Sequence, residues 1–233
     1  ELEEKTLGRP EEAAQHYRSI LEIDSTDANA LAALDRLADA AGRYTELANI
    51  LGRRHDVVES DAERLSILVR LGDVYRLHLS RPDLAIGSYE AALQLDRANE
   101  GAVRGLEALI EAHPQYALQS GRLLEAPYTS RGEFRKLHAL LEGRLGATQD
   151  EEEKRELRLR LADLSASELG DPSAAYSSLE AAFLDRPHEM ELWDRLAGAA
   201  EAASRQEDLA KAYALAIESG QLDDADAAEL ARR

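Results

Sequence analysis

The chain has 233 residues, of which 44% are hydrophobic and only 5% aromatic, and its 14 glycines and 6 prolines are too few for the frequent turns of a compact β protein. Lysine and arginine number 28 against 46 aspartates and glutamates, so the net charge of −18 excludes the basic footprint that binds nucleic acid or an anionic membrane surface. The chain has no cysteine, which excludes disulfides and thiolate chemistry. It also has no apolar run near the ~18 residues that a membrane span requires, which excludes membrane insertion.

Apolar residues recur at helical spacing along the chain, and prolines, glycines and capping residues separate one helix from the next. The pattern predicts roughly a dozen antiparallel helices without a sheet. Glu151–Glu153 falls in the first turn of one helix, where negative charge complements the helix dipole, so we interpret this acidic run as structural. The helices are expected to begin near Pro10, Asp27, Tyr44, Asp61, Pro82, Glu100, Pro114, Gly132, Asp150, Pro172, His188, Arg205 and Leu222.

Two stretches of the chain, at about 43–105 and 133–195, are copies of one another at an interval of about 90 residues. Such repetition is typical of a solenoid, in which each unit buries its apolar face only by stacking on its neighbours. Between the copies, Pro127 falls inside a periodic stretch and predicts a kinked or interrupted helix. We therefore expect an irregular junction at about 113–132. The clearest matches are Leu71-Gly72-Asp73 with Leu161-Ala162-Asp163, Pro82 with Pro172, Ala85 with Ala175, and Ala91-Ala92 with Ala181-Ala182.

The unit that begins Leu68-x-x-Leu71-Gly72-x-x-Tyr75 resembles a tetratricopeptide (TPR) repeat, a helix–turn–helix of ~34 residues. The opening half of the motif returns as Leu34-x-x-Leu37-Ala38-x-x-Ala41 and Trp193-x-x-Leu196-Ala197-x-x-Ala200. The closing proline of the family pattern is present only as Pro187, and the helices near 61–79 and 151–169 are about a turn longer than the family norm.

The resemblance covers nearly the whole chain and implies an all-α fold of antiparallel helix–turn–helix repeats, stacked into a right-handed superhelical solenoid. A single solenoid over 1–233 is expected, as a fragment of a longer array. The bias towards arginine and alanine suggests a bacterial genome. Trp193 is expected to be buried between two helices, with Gly72, Ala162 and Ala197 at tight helix–helix contacts.

No catalytic or metal-binding pattern is visible in the sequence. None of the six histidines lies three or four residues from another, and no H-E-x-x-H, nucleophile elbow or phosphate-binding glycine loop occurs. Carboxylates are numerous enough for a chance pair of the glycosidase kind, but nothing selects one. The sequence therefore predicts no enzyme, no metal and no cofactor.

In TPR domains the first helices line the concave surface and contact the ligand. Counting the motif leucine as position seven, arginine recurs at position six and aspartate at position nine, on one face of successive first helices. This Arg/Asp ladder, of which Arg70 and Arg160 are expected to be exposed, suits a carboxylate or an acidic peptide. Alternatively, each pair is a solvated ion pair within one helix. The known lysine/asparagine carboxylate clamp is not reproduced. The ladder comprises Arg36, Arg70, Arg160 and Arg195 at position six and Asp39, Asp73 and Asp163 at position nine.

The leading hypothesis is a protein–protein interaction scaffold that binds a peptide or partner segment in its concave groove. The alternatives are a regulatory or substrate-holding module of a larger enzyme and a structural spacer. The acidic surplus either keeps a surface-rich protein soluble or recruits a basic partner, whereas the arginines suggest an acidic ligand. Exposed solenoid ends would allow end-to-end self-association. A cytoplasmic location is expected, or a periplasmic one if a leader precedes the sequence.

Overall fold

The structure is a computed structural model that describes residues 9–233, so residues 1–8 of the expected array lie outside the described residues. Within that range, regular structure consists of thirteen α-helices and one 3₁₀ turn at Pro114–Tyr116, without a strand. The prediction of an all-α fold is confirmed. The helices are α1 (Pro10–Ile23), α2 (Ala28–Ala40), α3 (Tyr44–Val57), α4 (Asp61–Leu77), α5 (Pro82–Leu95), α6 (Glu100–Ala112), α7 (Ala117–Ser130), α8 (Phe134–Ala147), α9 (Glu151–Ser167), α10 (Pro172–Asp185), α11 (Met190–Ala203), α12 (Gln206–Glu218) and α13 (Asp224–Leu230).

The helices begin where the sequence supplies a cap or a proline. Pro10, Pro82 and Pro172 lie in the first turns of α1, α5 and α10, where the missing N–H would have had no partner. Glu151–Glu153 occupies the first turn of α9, in agreement with its structural interpretation. Side-chain oxygens that accept first-turn N–H groups belong to Asp27, Ser60, Asn99, Asp150, Asp171 and Asp223.

The turns between helices repeat at an interval of 90 residues. Gly42 and Gly132 both have a φ angle of +66°, a left-handed conformation that glycine adopts without strain. Ser80 (φ +52°) and Gly170 (φ +61°) follow α4 and α9 in the same left-handed region. The two copies therefore share their backbone turns even where the side chain differs.

The chain divides after Arg131 into two compact units: unit 1 carries α1–α7, and unit 2 (Gly132–Arg233) carries α8–α13. The core of unit 2 includes Trp193 and Phe183, whose side chains have no exposed surface. The indole N–H of Trp193 donates a hydrogen bond of 2.7 Å to the carbonyl of Pro187. The predicted burial of Trp193 is confirmed. None of the helices between residues 10 and 230 has the length and hydrophobicity that crossing a membrane requires.

The predicted interruption at Pro127 does not occur, because α7 continues through this residue to Ser130. Pro127 lies in the last turn of the helix, so its missing N–H removes only one bond near the end. The preceding irregularity is instead the 3₁₀ turn at Pro114–Tyr116, from which α7 starts.

The ring of Tyr89 in unit 1 lies between two glycines. A Cβ atom on Gly72 would lie 2.5 Å from Tyr89 Cε1, and one on Gly105 would lie 2.2 Å from Tyr89 Cζ. At the corresponding place in unit 2, Ala162 is buried, whereas Ala197 is only half-buried. The predicted tight contact is therefore seen at Gly72.

Enlarging Gly72 should destabilise unit 1 through a clash with the Tyr89 ring. We expect Gly72→Ala to lower the free energy of unfolding by about 1–3 kcal/mol. The cost should shrink in a Tyr89→Leu background, because unit 2 accommodates Ala162 beside Leu179. Urea denaturation of the four members of this cycle measures both values. An equal cost in both backgrounds would contradict the contact.

Acid should weaken the link between α9 and the start of α11. Arg155 donates from Nε (2.9 Å) and Nη2 to Glu189 Oε2, and these bonds hold the pKa of Glu189 below its ordinary value of 4.5. A lowered pKa contributes stability above pH 4.5 that is lost as the pH falls through the lowered value. Thermal melting should therefore show a gap between wild type and Glu189→Gln that closes in acid. A gap that persists in acid, or one matched by the exposed control Glu191→Gln, would argue against this link.

Candidate functional site: a groove in unit 2

Two of the ladder arginines, Arg70 and Arg195, pair with carboxylates of another helix. Arg70 on α4 reaches back to α2, where its Nη2 lies 2.8 Å from Asp39 Oδ2 and its Nη1 lies 2.6 Å from Asp35 Oδ1. Arg195 on α11 reaches back to α9, with its Nη2 2.6 Å from Asp163 Oδ1. In both pairs, the position-six arginine of one first helix contacts the position-nine aspartate of the preceding first helix.

The remaining ladder residues do not form a row of open donors. Asp73 accepts a hydrogen bond of 2.7 Å from the Tyr89 hydroxyl and one of 3.1 Å from Arg76 Nη2. Neither Arg36 nor Arg160 is without a partner. Arg36 is exposed, whereas Arg70 and Arg160 are half-buried, so the expectation that these two arginines are exposed is wrong.

In the Arg70–Asp39 and Arg195–Asp163 pairs, the carboxylate is more exposed to solvent than the guanidinium. The side chain of Asp163 is 69% exposed against 31% for Arg195. Asp39 is likewise more exposed than Arg70. The charge that these pairs present to solvent is therefore mainly negative.

The sequence interpretation missed Asp35, a buried carboxylate that pairs with Arg70 and fixes the position of its guanidinium. The Asp35 side chain is only 2% exposed and contacts the guanidinium groups of both Arg54 and Arg70. Arg54 also pairs with Glu63 at 2.6 Å, and the equivalent pair in unit 2 joins Arg144 and Glu153 at 2.8 Å. Asp35 stands at position five of its repeat, one residue before the ladder, where only its burial distinguishes it.

Removing the two arginines should have unequal effects on stability. Arg70→Ala leaves the buried Asp35 with one cation fewer, and we expect a loss of about 1–3 kcal/mol. Arg195→Ala removes a pair whose carboxylate faces solvent, and we expect a loss of about 1 kcal/mol or less. Urea denaturation of the two variants measures the difference. Equal losses would show that burial of Asp35 does not set the cost.

The Asp163–Arg195 pair flanks an open groove in unit 2 of about 290 Å³. First helices α9 and α11 form its sides, and the second helix α10 contributes to its lining, so we name it the α9–α11 groove. A Cβ atom on Gly198 would meet nothing within 4 Å. Apart from the ion pair, its lining residues are Ala162, Ala166, Pro172, Ala175, Leu179, Gly198, Ala199 and Ala202.

Several of the same positions in unit 1, 90 residues earlier, carry larger side chains. Arg76 stands where unit 2 has Ala166, and Tyr89 stands where it has Leu179. Arg76 donates from Nε to the Tyr89 hydroxyl (3.2 Å) and from Nη2 to Asp73, so a guanidinium and a phenol occupy this place. The 90-residue alignment carries this signal, because it shows arginine replaced by alanine within the repeat.

The Tyr89 hydroxyl of unit 1 behaves as a buried structural group. Burial, reinforced by the hydrogen bond to Asp73, raises the pKa of the Tyr89 hydroxyl, although Arg76 opposes the shift. Within residues 9–233, no three histidine, aspartate or glutamate side chains come together in an arrangement that could hold a metal ion. What the α9–α11 groove offers is an apolar surface beside one fixed ion pair.

No family model and no curated protein sequence matches the chain. Solved structures with a similar fold include the Naa15/Naa10 complex bound to HypK-THB, at 18% identity and a TM-score of 0.38 over 96% of this chain and 36% of that chain. A MamA mutant matches at 20% identity and 0.34 over 78% of this chain and 90% of that chain. The TPR2AB domain of yeast Sti1 in complex with pHSP90 matches at 18% and 0.35, over 96% of this chain and 91% of that chain.

The chain thus spans about a third of the length of the Naa15/Naa10 match, and likeness at these TM-scores does not by itself assign a function. The fold is evident from the chain itself. The motif positions Gly72 and Trp193 lie buried where hairpins meet, and Leu196 joins Trp193 in the core of unit 2. The chain has a TPR-like helical-repeat fold.

Proposed function

We propose that the chain is a protein–protein interaction scaffold in which the α9–α11 groove receives a segment of a partner protein. The observation that carries this proposal is an open, mostly apolar groove with a fixed ion pair beside it. Apolar clefts with a few placed polar groups are the usual form of a binding site. The TPR-like fold supports the same function by analogy.

The size and chemistry of the groove favour a peptide segment over a cofactor. A volume of about 290 Å³ lies at the lower end of small-molecule sites, and it suits one or two side chains. Its charged groups are Asp163 and Arg195, which pair with each other. Such a pair can position a partner, whereas nucleophilic catalysis needs a nucleophile activated by a base.

The two alternatives make different demands on this groove. A regulatory or substrate-holding module of a larger enzyme would use it for a segment of the same polypeptide or for the substrate of that enzyme. A structural spacer would not use it at all. Blocking the groove therefore separates the scaffold from the spacer, and the identity of the bound segment separates the scaffold from the module.

Filling the groove from inside should abolish partner binding without unfolding unit 2. Gly198 faces open space in the middle of α11, so Gly198→Leu places a side chain in the groove without a clash. Replacing a helical glycine should also stabilise the helix, by about 0.5–1 kcal/mol. We expect proteins captured by immobilised wild type, identified by mass spectrometry, to be lost with Gly198→Leu.

The matched control is Gly143→Leu in the same unit. Gly143 is an exposed mid-helix glycine of α8 with nothing within 4 Å of its would-be Cβ, and it lies outside the groove. This variant should keep every partner and should raise the melting temperature in the same direction. Identical capture by the two leucine variants would refute the groove as the binding site.

A further inference from the structure

We infer that the partner segment presents an arginine side chain to the α9–α11 groove, where its guanidinium binds Asp163 in the way that Arg76 binds Asp73 in unit 1. The inference rests on the proposed function and specifies the chemistry of the segment bound. It follows from the comparison of the two copies, which place equivalent residues at an interval of 90.

The two copies share the framework of the site. Asp73 corresponds to Asp163, and Pro82 and Ala85 correspond to Pro172 and Ala175, without a change of residue type. The turns that follow α4 and α9 also have the same left-handed conformation. Where a side chain is present in one copy and missing from the other, the space that it fills in the first copy is therefore open in the second.

In unit 1 the aspartate has a cation on its own helix. Arg76, three residues after Asp73, donates to the carboxylate at 3.1 Å, and the Asp73 side chain is 42% exposed. In unit 2 the equivalent residue is Ala166, which cannot donate, and the Asp163 side chain is 69% exposed.

Arg195 replaces only part of the missing contact. Its Nη2 approaches Oδ1 of Asp163 from the neighbouring helix α11. In unit 1 the residue at that place is Gly105, and the Tyr89 hydroxyl and Arg76 together supply two donors to Asp73. Asp163 therefore keeps capacity to accept from a further donor, because a carboxylate offers about four lone-pair sites.

The groove walls suit the remainder of an arginine side chain. An arginine stem packs along apolar surface while its charged head reaches a polar partner. Ala166 and Ala202 leave room along the groove, and Gly198 adds no side chain. The guanidinium fork forms stronger, more directional bonds to a carboxylate than lysine does.

The charge of unit 2 favours a basic segment. Residues 132–233 contain 23 aspartates and glutamates against 13 lysines and arginines. This surplus attracts basic segments and repels acidic ones at long range. The acidic ligand suggested by the arginine ladder would meet Asp163, whose side chain is 69% exposed, which argues against it.

The test uses two neutral-ended tripeptides, acetyl-Ala-Arg-Ala-amide and the same peptide with citrulline, an uncharged isostere of arginine. Binding to the full chain is followed by amide chemical shifts in NMR titrations. We expect the arginine peptide to shift resonances of the groove residues and to bind at least about tenfold more tightly than the citrulline peptide. Equal binding of the two peptides, or no binding of either, would overturn the inference.

Two variants test the site itself. Asp163→Asn should weaken the arginine peptide at least about tenfold. Ala166→Arg should abolish binding of the arginine peptide, because the new side chain would occupy the place that Arg76 occupies in unit 1. The matched control is Ala214→Arg, which adds the same charge at an exposed alanine of α12 outside the groove and should bind like wild type. Unchanged affinity in Ala166→Arg, or equal losses in both arginine variants, would contradict the site.

The inference can fail while the proposed function stands. A captured partner that is lost with Gly198→Leu but retained by Asp163→Asn would show a groove that binds without an arginine contact. A partner retained by Gly198→Leu would remove the groove as a site and both proposals with it. Melting curves confirm that each variant is folded before its affinity is compared.

Discussion

The contact on which the repeats depend is the packing of a second helix against the first helices before and after it, where side-chain volumes must match. In unit 1 the ring of Tyr89 fills the crossing and needs glycine at both Gly72 and Gly105. In unit 2 Leu179 takes the place of the ring, and the facing residues become Ala162 and Arg195. Since interiors are close-packed, these three positions must change together. The residues at these three positions determine which side chain donates a hydrogen bond to Asp73 in unit 1 and to Asp163 in unit 2.

The excess of acidic side chains explains why the ladder arginines form ion pairs within the repeats. With 46 acidic side chains against 28 lysines and arginines, a guanidinium on this surface finds several carboxylates within reach. Pairs that span neighbouring helices, such as Arg70 with Asp39, fix the register of one hairpin on the next. The carboxylates left over set the outward charge. A row of arginines in an acidic chain is therefore weak support for an acidic ligand.

The sequence predicted the helices well because their boundaries are determined locally. Caps such as Asp27 and Asn99, and a first-turn proline such as Pro82, act within three or four residues of the helix start. The error at Pro127 has a local cause too, since its effect depends on its distance from the helix end, which the periodicity did not locate.

The pairing of charges could not be predicted in the same way. Arg70 and Asp39 are separated by 31 residues, and Arg195 and Asp163 by 32, so their contact depends on how the hairpins stack. The ladder positions include residues that contact one another between successive first helices. They did not show that Asp35, the residue before Arg36, is buried and forms an ion pair with Arg70.

The groove was also encoded, but in a difference between the copies rather than in a motif. Replacing Arg76 by Ala166 and Leu109 by Ala199 removes side-chain volume on both sides of one crossing. Arg195, where unit 1 has Gly105, and Ala162, where it has Gly72, add volume back. Truncations of this kind lose packing contacts and usually cost stability. Departures from consistent packing are expected at functional sites, where a ligand supplies the missing contacts. An occupant that brings back an aliphatic stem and a cation would restore to unit 2 the contacts that unit 1 makes within itself.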